Sequence, residues 1–227
     1  MNGQSPLDTV TRRAGAVRNG HGVAAHYGSP AGELAVCVRA VGLADRSDLV
    51  KLVLTGERDA VSELVNRVSG SRLAERGCVS AAGAWWCAAS SRRVIALGEP
   101  ASDALSETIR KAAVPGVEIT DRSADWSAIA LVGRATVPVL SAIGAFTDLR
   151  LAPPFGPATI DGARADLLLQ SDRYAVMLVE PDAATGVWRA IERAGRTFGL
   201  SYVGAEAVRR FALAERTLDR TPVAATG

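Results

Sequence analysis

The stretch DRSDLVKLVLTG, Asp45–Gly56, opens with turn-forming residues, runs through an apolar strand-like segment and stops at a glycine. Its opening returns in DRSADWSAIALVG, Asp121–Gly133. Asp and Ser ahead of a strand commonly hold a turn through side-chain-to-backbone hydrogen bonds, so Asp45 and Ser47 read as structural rather than catalytic. Two copies of one turn and strand raise the question of whether the whole chain is a duplication.

Following each copy past its glycine supports that reading. After Gly56, Val61, Leu64, Val65 and Val68 recur at helical spacing, and after Gly133, Val137, Leu140 and Ile143 do the same. Pro138 falls early enough to sit in a first helical turn. Each unit then offers two strand-like runs, AWWCAA and RRVIALG in the first, ADLLLQ and RYAVMLV in the second. The end of each pair matches without a gap: SSRRVIALGEP (Ser90–Pro100) lies on SDRYAVMLVEP (Ser171–Pro181). Each Glu-Pro then opens a helix, since proline suits the first helical position. Leu105, Ile109 and Ala113 give the first of these helices its apolar face, and Val187, Trp188, Ile191 and Ala194 give the second one its own. VEIT (Val117–Thr120) and LSYVG (Leu200–Gly204) supply a final strand to each unit.

Strand, helix, two strands, helix and strand is the order of the split β-α-β motif. The expected fold is therefore α+β, with two ferredoxin-like halves related by pseudo-duplication and packed as one body. Residues 1–44 form an N-terminal arm and helix, 45–120 the first half, 121–218 the second half with a C-terminal helix, and 219–227 a flexible tail. The first flanking helix, Glu33–Gly42, should turn Leu34, Cys37, Val38 and Val41 inward. The last, Ala205–Leu218, should do so with Val208, Phe211 and Ala212.

Composition narrows the function classes. Of 227 residues, 48% are hydrophobic and 22% charged, the balance of a globular protein with a substantial core. No apolar run approaches the roughly 20 residues that a membrane-spanning helix needs, and the first fifteen residues have no apolar export core, so a cytoplasmic protein is expected. Cys37, Cys78 and Cys87 form no CxxC pair, which suits a reducing compartment. Net charge is +2 and the arginines come in doublets rather than runs, giving little support for nucleic-acid binding. Two histidines, His21 and His26, in no metal-binding spacing, argue against a metal site. No phosphate loop, dinucleotide fingerprint or Ser-His-Asp set is present. Trp85 and Trp86, adjacent on a strand, must face opposite ways: one into the core, the other toward a cleft or an interface.

The segments SPLDTVTRRAGAV, AAHYGSP, GELAVCVRAVGLADRSDLVKLVLTGERDAVSEL, AIALVGRATVPVLSAI and GVWRAIERAGRTFGLSYVGAEAVRRF, in that order, resemble the glycine cleavage T-protein family. These folate-dependent aminomethyltransferases include related modules of sarcosine oxidase and dimethylglycine dehydrogenase. The resemblance runs from Ser5 to Phe211 and implies a tetrahydrofolate site in the cleft between the two halves. Tyr27 matches a family aromatic near that cleft. Gln170 and Asp172 stand where the family has the Thr-Gly-Glu that grips the pterin. Arg210 matches the second arginine of Ala-Arg-Asp-x-Leu-Arg, whose first arginine and aspartate are here Glu206 and Ala207.

Other family positions differ. Where the family carries an acid beside the reactive nitrogens of folate, the region between Glu75 and Ser91 has none. The family also continues into a C-terminal barrel that closes over the cofactor. Two readings follow. The first is a folate-binding, aminomethyltransferase-like protein of one-carbon metabolism, with no catalytic residue assigned. The second is a non-catalytic partner subunit, a pseudoenzyme resembling the sarcosine oxidase γ subunit and held by a larger oxidase or transferase chain. A polar, ligand-sized cleft between the halves favours the first reading, and an interior filled by apolar side chains favours the second.

Overall fold

The computed structural model describes residues 5–13, 15–100, 103–145 and 154–219; the tail expected to be flexible lies, from residue 220 on, outside them. Helix α1 (Asp8–Arg13), a ribbon of β1 (Val17–Arg18) and β2 (Ala24–His26), helix α2 (Pro30–Arg39) and strand β3 (Val41–Asp45) come first. The first half follows as β4 (Val50–Gly56), α3 (Arg58–Ser69), β5 (Cys78–Ala81), β6 (Ala84–Ser90), β7 (Arg93–Gly98), α4 (Asp103–Lys111) and β8 (Val117–Asp121). The second is β9 (Ser127–Val132), α5 (Thr136–Ala142), β10 (Phe155–Ile160), β11 (Ala163–Ser171), β12 (Tyr174–Val179), α6 (Pro181–Gly195), β13 (Leu200–Tyr202) and α7 (Ala205–Asp219).

These strands form two large sheets, ordered β5-β6-β7-β4-β8 and β10-β11-β12-β9-β3-β13. In each, the first strand of the unit lies beside the second strand of its long hairpin, β4 beside β7 and β9 beside β12, as the split β-α-β motif requires, and β5 or β10 adds an edge strand to that hairpin. In the smaller sheet β8 closes the motif beside β4. In the larger one the place expected for Leu200–Gly204 is taken by β3, which pairs with β9, and β13 lies one position further out, parallel to β3. Burial explains the order. All five residues of β3 are buried, so it belongs inside a sheet, whereas β13 is partly exposed and suits an edge.

Alternation along the strands sorts the apolar side chains into three layers. Val41, Leu43, Ile129, Leu131, Met177 and Val179 leave the outer face of the larger sheet to meet Val187, Trp188 and Ile191 of α6. Leu52, Leu54, Trp86 and Ala96 leave the outer face of the smaller sheet to meet Leu64 and Val65 of α3 and Ile109 of α4. Between the sheets, Trp85, Cys87, Ile95 and Leu97 meet Leu168, Tyr174, Val176 and Leu178. Cys37 of α2 and Val208 and Phe211 of α7 extend that central layer.

Helix α2 differs from its expected form. It starts at Pro30, capped by Ser29, whose Oγ accepts the Gly32 N–H at 3.1 Å. Val38, expected inside, is 52% exposed. Glu33 turns inward instead, its two oxygens accepting the backbone N–H groups of Tyr27 and Gly204, each at 2.7 Å.

Both Asp-Arg-Ser turns sit where the chain passes from one sheet to the other. The first leads from β3 in the larger sheet to β4 in the smaller, and the second from β8 back to β9. Their hydrogen bonds are near mirror copies. Asp45 Oδ1 accepts from Ser47 N at 2.9 Å, and Asp121 Oδ1 from Ser123 N at 2.8 Å. Ser47 Oγ accepts from Ala128 N, and Ser123 Oγ from Lys51 N. Arg46 N donates to Ala128 O and Arg122 N to Lys51 O, both at 2.8 Å. Arg46 pairs with Asp48 at 2.9 Å and Arg122 with Asp125 at 2.7 Å. Each turn thus closes on the strand that follows the other, and the duplication is written into these contacts.

Candidate functional site

The residues matched to the folate family come from three places: the exit of β2, the turn between β11 and β12, and α7. Tyr27 follows β2, its ring 5.7 Å from that of Tyr202, which in turn meets Trp188 edge-on at 5.3 Å. Burial, and then the charge of Asp45, raise the phenol's pKa, so it stays protonated. Gln170 is the last residue but one of β11, and Asp172 lies exposed in the turn to β12. That turn leads to Tyr174, which pairs with Val132, itself opposite Gly42 at the start of β3. Asp45, the acid that acts on Tyr27, ends the same strand. Tyr27 and the Gln170–Asp172 turn therefore lie toward opposite ends of β3. Arg210 sits on α7 in an i, i+4 ion pair with Glu206, half of its side chain exposed.

At the centre, where the resemblance puts a folate, apolar groups meet. Trp85 and Tyr174 cross the gap between the sheets with ring centroids 5.7 Å apart. Both tryptophans of the pair are buried, Trp85 in the central layer and Trp86 beneath α3 and α4, where its Nε1 donates to Ala81 O at 3.0 Å. Cys87, also fully buried, has its Sγ 3.3 Å from that of Cys78 on the facing strand. Burial raises the Cys87 pKa well above that of an ordinary thiol, which makes it a poor nucleophile.

Farther along the same two inner faces the character changes. On β11 the inward positions run from Leu168 to Asp166 and Arg164; on β12, Leu178 is followed by Glu180; on β7, Ile95 gives way to Arg93. The sheets leave a cleft of about 390 Å³ here, lined also by Arg122, Trp126 and Phe155. Arg93 and Arg122 lie over the Trp126 ring, 5.7 and 5.6 Å from its centroid. None of these residues was singled out in the sequence. The available signal was a charge at an inward-facing strand position, as at Arg93 and Asp166, which breaks the apolar alternation. Among the described residues no group of three His, Cys, Asp or Glu side chains is placed to hold a metal ion, and no helix is long and apolar enough to cross a membrane.

No protein-family profile matches the sequence, and no curated protein does. Solved structures do resemble the fold. The glycine cleavage system aminomethyltransferase T from Bartonella henselae superposes with a TM-score of 0.77 over 94% of this chain at 14% identity. The chain spans 62% of that protein's length. A chain of the heterotetrameric sarcosine oxidase from Corynebacterium sp. U-96 superposes with a TM-score of 0.65 at 16% identity, over 88% of this chain and 98% of the other. The fold is T-protein-like, α+β with two ferredoxin-like halves.

Proposed function

We propose that the chain is a non-catalytic subunit of a larger amine oxidase or aminomethyltransferase assembly. The apolar centre carries this reading. Transfer of a one-carbon unit needs a proton acceptor within hydrogen-bond reach of the reacting nitrogen. The inner faces present Trp85, Cys87, Ile95, Leu97, Tyr174 and Val176 there, with no carboxylate among them. Near-complete coverage of a chain from a heterotetrameric oxidase adds support.

Folate binding is the second reading, favoured by one observation. The Tyr27 hydroxyl and the Gln170 amide oxygen are buried without a hydrogen-bond partner among the described residues, as acceptors and donors awaiting a ligand would be. In that reading Tyr27, Arg210, Gln170 and Asp172 are the binding residues.

Calorimetric titration of the folded protein with tetrahydrofolate separates the two. No heat is expected, and on gel filtration of extract from the native cells the chain should elute far above a 23.6 kDa polypeptide, together with sarcosine-dependent oxidase activity. Saturable micromolar binding that is lost in Tyr27→Phe or Arg210→Ala, from a chain eluting alone, would overturn the subunit reading in favour of the folate carrier.

A further inference from the structure

We infer that the cleft between Arg93, Trp126 and Arg164 is a binding site for one small oxyanion, a carboxylate or phosphate compound that also carries hydrogen-bond donors. This goes beyond the subunit reading and does not depend on it. The first ground is where the charges stand. Arg164, Asp166, Glu180 and Arg93 continue inner strand faces that are apolar elsewhere and line one cleft where the sheets part, Arg93 and Asp166 half-buried and Arg164 and Glu180 exposed to solvent.

The second ground is how the charges are partnered. Arg122 is held by Asp125 at 2.7 Å. Arg93 and Arg164 form no ion pair among the described residues; Arg93 meets only the face of Trp126. A guanidinium presents a planar fork that fits carboxylate and phosphate oxygens bidentately, so two such groups in one cleft select an oxyanion. Stacking on Trp126 limits the freedom of Arg93 before any ligand arrives, which lowers the ordering cost of binding. Asp166 and Glu180, also without ion pairs among the described residues, can accept hydrogen bonds from an ammonium or hydroxyl group on the same ligand. They also repel an extended polyanion, which limits the occupant to a small molecule. At about 390 Å³ the cleft falls in the range of roughly 300–1,000 Å³ usual for such sites.

The indole N–H signals of the ¹⁵N-labelled protein provide the test, with Trp126→Phe assigning the resonance of interest. Inorganic phosphate, glutarate and glycine are titrated separately at constant ionic strength, with sodium chloride as the control. At least one should move the Trp126 signal saturably, and the pattern across the three identifies whether phosphate, a second carboxylate or an ammonium is preferred. Arg93→Ala and Arg164→Ala should each weaken that binding at least tenfold. Arg92→Ala removes the same charge from an outward side chain paired with Glu57 and should leave it unchanged. No saturable shift beyond the chloride control, or equal binding in all three variants, would overturn the inference. The variants are all at partly or fully exposed positions, and an unchanged amide spectrum verifies their folding.

Discussion

Lys51 shows what one residue contributes at a crossover. It is fully buried, and its Nζ donates to the carbonyl oxygens of Ser47, Leu49 and Ser123 at 2.9, 2.8 and 3.1 Å. Burial lowers its pKa from 10.5 to about 8, against the pull of Asp48, Asp45 and Asp121. Because the folded pKa lies below the unfolded one, the unfolded chain binds more protons at this lysine between these values, and the contribution of Lys51 to stability rises with pH through that window. The rise should not exceed about 3 kcal/mol. Urea denaturation of wild type and Lys51→Met side by side from pH 7.5 to 10.5 isolates it: the buried Cys37 and Cys87 thiols lower the stability of both proteins as pH rises, and the difference between the two should move in favour of wild type. Arg46 is the opposite case. It is wholly buried and ion-paired to Asp48, itself almost unexposed, and to Glu99. Arg46→Ala strands that buried carboxylate and should cost about 3–5 kcal/mol in the same assay. In the sequence the Asp-Arg-Ser turn was legible because Asp and Ser have few other tasks ahead of a strand. The burial of Lys51 was not, because its partners are backbone carbonyls, one of them from the other half of the molecule.

At the scale of elements, the hairpins and helices were legible wherever periodicity was strong, as in β6–β7, β11–β12, α3 and α6. Helix α2 was read with its face rotated: Val38 looked like core, and Glu33 was not seen as a clasp, because its two donors come from β2's exit and the approach to α7. Substituting Glu33→Ala leaves the Tyr27 and Gly204 amides without their acceptor, at about 1–3 kcal/mol each. Gly133 fixes how α2 meets the larger sheet. Its φ is +130°, and a Cβ there would lie 2.3 Å from the Cys37 carbonyl oxygen and 2.7 Å from that of Ala40. Gly83, at φ +75°, has nothing within 4 Å of such a Cβ. Gly133→Ala should therefore lower Tm far more than Gly83→Ala, and thermal melts of the two variants side by side measure the difference. The cleft escaped the sequence reading for a related reason. Its residues come from β6, β7, the second crossover, β10, β11 and β12, and only the packing of two sheets brings them together.

For the molecule as a whole, duplication was legible from short repeats in the same order, while the loan of β3 from the N-terminal segment to the second half was not. A pattern of strands shows how many there are but not which sheet takes each one. The smaller sheet is built wholly from β4 to β8, whereas the larger one is incomplete without β3. A polypeptide of residues 121–219 should accordingly stay unfolded by circular dichroism, and addition of residues 30–45 as a peptide should restore β structure. A native spectrum from the fragment alone would show that β3 is dispensable.

The distant placing of β3 imposes an order of events on synthesis. β3, buried in full in the finished protein, leaves the ribosome long before β9, the strand beside it; across this junction the Ser47 hydroxyl bonds to a residue 81 positions later. The smaller sheet has all its strands by Asp121 and can close while β3 still waits. For that interval an apolar strand with two unpaired edges is open to other chains, the condition under which nascent proteins aggregate or recruit chaperones. The yield of soluble protein in the cell should thus depend on how quickly the ribosome crosses the codons for residues 46–132.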